Sequence, residues 1–139
     1  MDDEVRIRYV SLPVAFEQSL DGVSYDYGDD GLGKVLRLLC ACASQQAKKP
    51  FYMIDVTGDR GWALLARKLG FDVVTDCIRF VTDLRAEGLC DIAKDGNHEY
   101  LHCPVVDGSV DGYRARVERS KRAAEARWEK KSEGGEATG

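Results

Sequence analysis

Gly28-Asp29-Asp30-Gly31-Leu32-Gly33-Lys34-Val35 has the G-x-x-x-x-G-K spacing of a phosphate-cradling loop, and Phe51-Tyr52-Met53-Ile54-Asp55 has the form of an apolar strand ending in a metal-binding Asp. The chemistry fails at three points. Val35 has no hydroxyl for Mg²⁺, Asp29 and Asp30 would repel phosphates, and no apolar strand precedes the loop. A glycine turn feeding a helix is the simpler account. Cys90, His98, His102 and Cys103 are residue types that ligate zinc. On a strand, however, His98, Tyr100 and His102 share one face while Leu101 and Cys103 share the other, so the ligands diverge. The five cysteines (Cys40, Cys42, Cys77, Cys90, Cys103) include no C-x-x-C pair and fall mainly in apolar periodic stretches, as expected of reduced, buried thiols. No nucleophile stands in a recognisable signature. The expectation is a non-enzymatic protein with no cofactor and no metal.

The elements that would position these residues follow from periodicity. The 139 residues, 44% of them hydrophobic, suit one folded domain. No apolar run is long enough to span a membrane, and Met-Asp-Asp-Glu is unlike a secretory signal, so a cytoplasmic protein is expected. The opening alternates weakly at Val5, Ile7 and Tyr9; Val14 to Leu20 is a short apolar piece that Asp21-Gly22 ends as a turn. Leu32, Val35, Leu36, Leu38, Leu39, Cys42 and Ala43 predict a helix over 31–46. Phe51 to Val56 reads as a strand, and Thr57 as the cap of a helix that Gly70 closes in the left-handed conformation. Asp72 can cap a second helix that ends at Gly88. Two helices joined by a short turn containing Gly form a helix-turn-helix. Leu89 to Ile92 and His98 to Cys103, around Lys94-Asp95-Gly96-Asn97, form a hairpin that would be a wing. After Pro104 and a Gly/Asp linker, Tyr113 to Lys131 is strongly helical by propensity. The fold class is α+β, mainly α: a winged helix-turn-helix over 1–106, a basic amphipathic C-terminal helix within 107–131, and a disordered tail over 132–139.

Three stretches carry a resemblance: Tyr27-Gly28-Asp29-Asp30-Gly31-Leu32-Gly33-Lys34-Val35-Leu36-Arg37-Leu38-Leu39, Phe51-Tyr52-Met53-Ile54, and Leu84-Arg85-Ala86-Glu87-Gly88-Leu89. Together they resemble the N-terminal winged-helix domain of phage and prophage replisome organisers, replication initiation proteins often followed by a DnaD-like domain. Ser120 to Lys131 is similar to the basic stretch that follows that domain, so the likeness covers roughly residues 25 to 131. It implies a DNA-binding fold in the cytoplasm of a bacterial host. Family members commonly continue into a domain that recruits a helicase loader, whereas this chain ends eight residues after Lys131, which implies the module alone.

Charge divides the functional expectations. The formal net charge is −4, from 20 basic and 24 acidic residues. Residues 113 to 131 hold eight Arg and Lys against Glu118, Glu125 and Glu129, a net of +5, which leaves −9 for the rest. On a helical wheel, Arg116, Arg119, Arg122, Arg127 and Lys130 gather on one side, while Tyr113, Val117, Ser120, Ala124 and Trp128 form a stripe. The basic side suits phosphates; the stripe suits docking on the domain or on a second copy to make a homodimer. In the second helix of the pair, Val73, Val74, Cys77, Ile78, Phe80, Val81 and Leu84 form the core arc. The outer arc presents Thr75, Arg79 and Thr82 as base readers among Asp72, Asp76, Asp83 and Glu87, with Arg85 at its margin. Lys94, His98 and His102 of the wing would approach the phosphate backbone.

Two functions are therefore expected. The first is a DNA-binding protein related to replication initiation, gripping duplex DNA through the wing and the C-terminal helix in a salt-sensitive mode. The second is a phage protein-binding module whose acidic face, Asp72, Asp76 and Asp83, inhibits a host nucleic-acid-binding complex in the manner of an anti-CRISPR protein.

Overall fold

The structure is a computed structural model that describes residues 6–138, with side chains to Lys131. The described residues form four helices and a small sheet: α1 (Phe16–Ser44), β1 (Ile54–Asp55), α2 (Gly58–Leu69), α3 (Val74–Ala86), β2 (Asp91–Asp95), β3 (His98–His102) and α4 (Pro104–Thr138). The class is α+β and mainly helical. The three strands are antiparallel in the order β1-β3-β2, and Leu101 at the centre pairs with Ile54 on one side and Ile92 on the other. Among the described residues no helix is long and apolar enough to cross a membrane.

One core joins all these elements. Leu38 of α1, Leu65 of α2, Phe80 and Leu84 of α3, Leu101 of β3 and Val106 of α4 are all fully buried. Phe80 is its centre. Tyr27 meets it edge-on at 4.9 Å between ring centroids, and Phe71, in the turn between α2 and α3, lies at 5.4 Å. Burial of one such aromatic side chain contributes about 2–3 kcal/mol.

Local signals act largely as chemistry dictates. Gly70 takes φ 88° and ψ 28°, and its N–H donates to the last carbonyls of α2. Gly88 follows α3 with φ 77°, and the N–H of Leu89 donates back to the carbonyl of Leu84 at 2.9 Å. Thr57 holds the cap position of α2 but its hydroxyl serves the sheet instead, accepting the N–H of Glu99 at 2.9 Å. The start of α2 is thereby tied to β3.

Several expectations are corrected. Asp21-Gly22 is not a turn, because both lie inside α1; Gly22 is small there because the Glu87 carboxylate packs where a Cβ would stand. The break comes at Gly28, whose φ of 68° and ψ of −158° divide α1 into two helical halves. Val73, not Asp72, holds the cap position of α3, with no side-chain hydrogen bond. The strand expected over 51–56 pairs only at Ile54 and Asp55, the chain bending before it at Tyr52 with φ 64°. In the hairpin the expected four-residue turn tightens to Gly96-Asn97, since Asp95 pairs with His98 and Gly96 supplies the left-handed φ of 61°. The expected linker after Pro104 is helix: α4 begins at Pro104, and Val106 and Val110 bury its first turns. It also takes in residues 132–138, expected to be tail.

Candidate nucleic-acid interface

The outer face of α3 presents Thr75, Asp76, Arg79 and Thr82 to solvent, with Asp72 exposed in the turn before it. Two departures from the wheel matter. Val73 and Ile78, expected in the core, are 50% and 37% exposed, because α2 and α1 cover only the side of α3 that carries Cys77, Phe80, Val81 and Leu84. Asp83, expected to be outward, is half-buried and accepts a hydrogen bond from the Tyr27 hydroxyl. Burial first, and then this bond to Asp83, push the Tyr27 hydroxyl up to about 12. The N-terminal half of α1 thus covers part of the face expected to read bases. Thr82 donates its hydroxyl proton to the Ile78 carbonyl at 2.8 Å, leaving only its lone pairs for a ligand.

The hairpin presents less positive charge than expected. Lys94 is exposed near its tip but stands directly across from Glu99. His98 faces Asp55 at 3.5 Å and stacks on Tyr100, while half-buried His102 meets Asp107 at 2.6 Å. Both histidines thus lie against carboxylates of the protein. Cys103 lies on the opposite, buried face with its Sγ 3.8 Å from that of Cys42, so the candidate zinc ligands do diverge. Burial pushes the Cys77 thiol up to about 11 and the Cys90 thiol up to about 12, and the contact with Cys42 raises Cys103 as well. These are core thiols without nucleophilic character. In the phosphate-loop look-alike, residues after Gly28 are helical, Lys34 pairs with Asp30 at 2.7 Å, and its Nζ lies 4.9 Å from the Phe71 ring centre.

Helix α4 carries the largest concentration of basic side chains. Arg116, Arg119, Arg122, Arg127 and Lys130 are all exposed. Tyr113 is half-buried against the core and Val117 is half-buried, but the stripe leaves the core there: from Glu118 to Lys131 every side chain is exposed, including Ala124 and Trp128 at 71%. The fourteen residues of this stretch extend for roughly 20 Å at 1.5 Å per residue.

A groove that sequence reading missed lies at the base of this helix. The extended segment 6–13 crosses the first turns of α4 and encloses about 700 Å³ between them. Ser11 ties the two together by donating its N–H to Ser109 Oγ at 2.9 Å. Arg6, Arg8, Tyr9, Tyr113 and Arg116 are among the residues that line it. The signals were Arg6 and Arg8 on either side of a buried Ile7, and Gly108 and Gly112 one helical turn apart.

No family model, curated protein or solved structure matches the chain.

Proposed function

We propose that this chain is a DNA-binding protein, a winged helix-turn-helix of the replisome-organiser kind its sequence resembles, which holds duplex DNA chiefly through the arginines of α4. The observation that carries this reading is the exposure of α4: from Glu118 onward its described side chains are all exposed, and residues 113–131 hold a net +5 in a chain of net −4. Such a helix laid along a duplex neutralises phosphates and releases counterions, an attachment that is strong at low salt and indifferent to sequence. The order of α2, a four-residue turn, α3 and the β2–β3 hairpin supports the winged-helix reading. In that arrangement α3 would contribute Arg79 and Thr75, while Asp72 and Asp76 beside them repel phosphates. Weak sequence discrimination follows.

The test is duplex binding measured over a range of salt. Arg116→Ala, Arg119→Ala and Arg122→Ala combined should weaken binding and reduce the slope of log K against log[salt] by about 0.9 for each phosphate no longer neutralised, or up to ~2.7. An unchanged slope removes α4 from the interface. The acidic outer face of α3 favours one other reading, capture of a host protein that normally grips nucleic acid. Asp72→Lys with Asp76→Lys separates the two. DNA affinity should rise if α3 approaches the duplex; under the rival reading, a stoichiometric protein partner should be lost while DNA affinity stays the same.

A further inference from the structure

The groove between segment 6–13 and α4 is fixed by three anchors. Ile7 is buried and donates its N–H to the Tyr52 hydroxyl at 3.2 Å; its carbonyl accepts from Gln46 Nε2 at 3.0 Å; and Ser11 is held by Ser109. Among the described residues the walls between these anchors present Arg8 and Arg116 and no carboxylate. Among the described residues no carboxylate pairs with Arg8 or Arg116, and Arg116 lies instead over the Tyr113 ring at 5.8 Å. Tyr9, the second ring of the groove, is 84% exposed.

The floor adds an independent observation. Gly108 and Gly112 lie inside a helix, where glycine is the least favourable residue after proline. The fold requires neither: a Cβ at either position would meet no atom within 4 Å, and neither glycine has a positive φ. What side chains there would do is fill the groove. Its volume lies within the range of sites for small ligands, about 300–1,000 Å³, and falls far short of a duplex.

We propose that this groove binds one unpaired nucleotide of a DNA strand, the phosphates held by Arg8 and Arg116 and the base stacked on Tyr9 or Tyr113 over the glycine floor. Guanidinium groups match phosphate oxygens bidentately, and aromatic rings take up any base because every base has a flat face. An acidic peptide would satisfy the arginines but would leave the two rings and the flat floor unused. The site stands apart from the duplex reading, since it needs none of α4 beyond Arg116.

The experiment uses the full chain, a fluorescent short oligothymidylate, and a blunt duplex as a separate probe. Gly108→Leu fills the floor while raising helix propensity, so it should melt at or above the parent temperature; Arg8→Ala alters an exposed wall. Each should weaken single-strand binding by roughly tenfold or more and leave blunt-duplex binding unchanged. Thymidine 5′-monophosphate should compete, and oligoglutamate should not. Parent-like single-strand binding by both variants overturns the proposal, as does failure of the parent to bind the oligothymidylate. Competition by oligoglutamate equal to that of the nucleotide overturns it too, and assigns the groove to an acidic peptide instead. If neither the parent nor the variants bind the blunt duplex, the duplex reading fails and the nucleotide site is unaffected.

Discussion

Tyr27 shows how one side chain can join elements that no local pattern connects. Its ring packs edge-on against Phe80 and its hydroxyl donates to Asp83, so Tyr27 fastens the first half of α1 to α3 just before the break. The consequence is a dependence on alkaline pH. The proton of Tyr27 is held more tightly in the folded chain, at about 12, than in the unfolded one, near 10.0. The stabilisation is complete below about pH 10 and is lost as pH rises toward 12, because the unfolded chain releases the proton first. Tyr27→Phe should cost about 1 kcal/mol at neutral pH through removal of the hydrogen bond. The difference in stability between the two proteins should then shrink as pH rises through that window. Denaturant unfolding of both proteins across the window measures it: no difference at neutral pH would show that the Asp83 bond contributes nothing, and a difference that stays constant would show that folding does not raise the Tyr27 hydroxyl.

At the scale of elements, glycines separate what the sequence reveals from what it hides. Gly70 and Gly88 were legible as helix ends because each follows an apolar helical period and precedes the next apolar element, and both take the left-handed conformation. Gly22 and Gly28 were not: residues 16–27 are too polar to announce a helix, and Tyr27 holds them against Phe80 and Asp83, more than fifty residues away. The groove was hidden for the same reason, since Ser11 and Ser109 are 98 residues apart and nothing local connects them. Packing also assigns opposite outcomes to two helix-interior glycines. A Cβ at Gly61 would lie 2.5 Å from the Val56 carbonyl carbon, so Gly61→Ala must push α2 away from the chain leaving β1; we expect a loss of about 2–4 kcal/mol. A Cβ at Gly108 meets nothing, so Gly108→Ala should gain about 0.5–1 kcal/mol from helix propensity. Thermal melts of the two variants should move in opposite directions. A destabilised Gly108→Ala would mean that the groove floor is already covered.

Across the whole molecule, charge and packing divide at the same place. Up to Val117 the chain is acidic and shares one core; beyond it α4 is basic, and its described side chains are all exposed. A helical stretch of this length without tertiary support is marginal by itself in water, so its contribution to the stability of the domain is small. Ending the chain after Val117 should therefore shift the melting temperature by less than ~4 °C, the effect of under about 1 kcal/mol, while Tyr113 stays packed on the domain. Duplex binding at low salt should fall steeply in the same protein, because six basic residues leave with the removed length. The two readouts test different things. If the melting temperature instead falls by ~10 °C or more and becomes dependent on concentration in the full chain, then Ala124 and Trp128 are buried against a second copy in solution. The stripe would then be a dimer seam, and the arginines of two helices would face the duplex together.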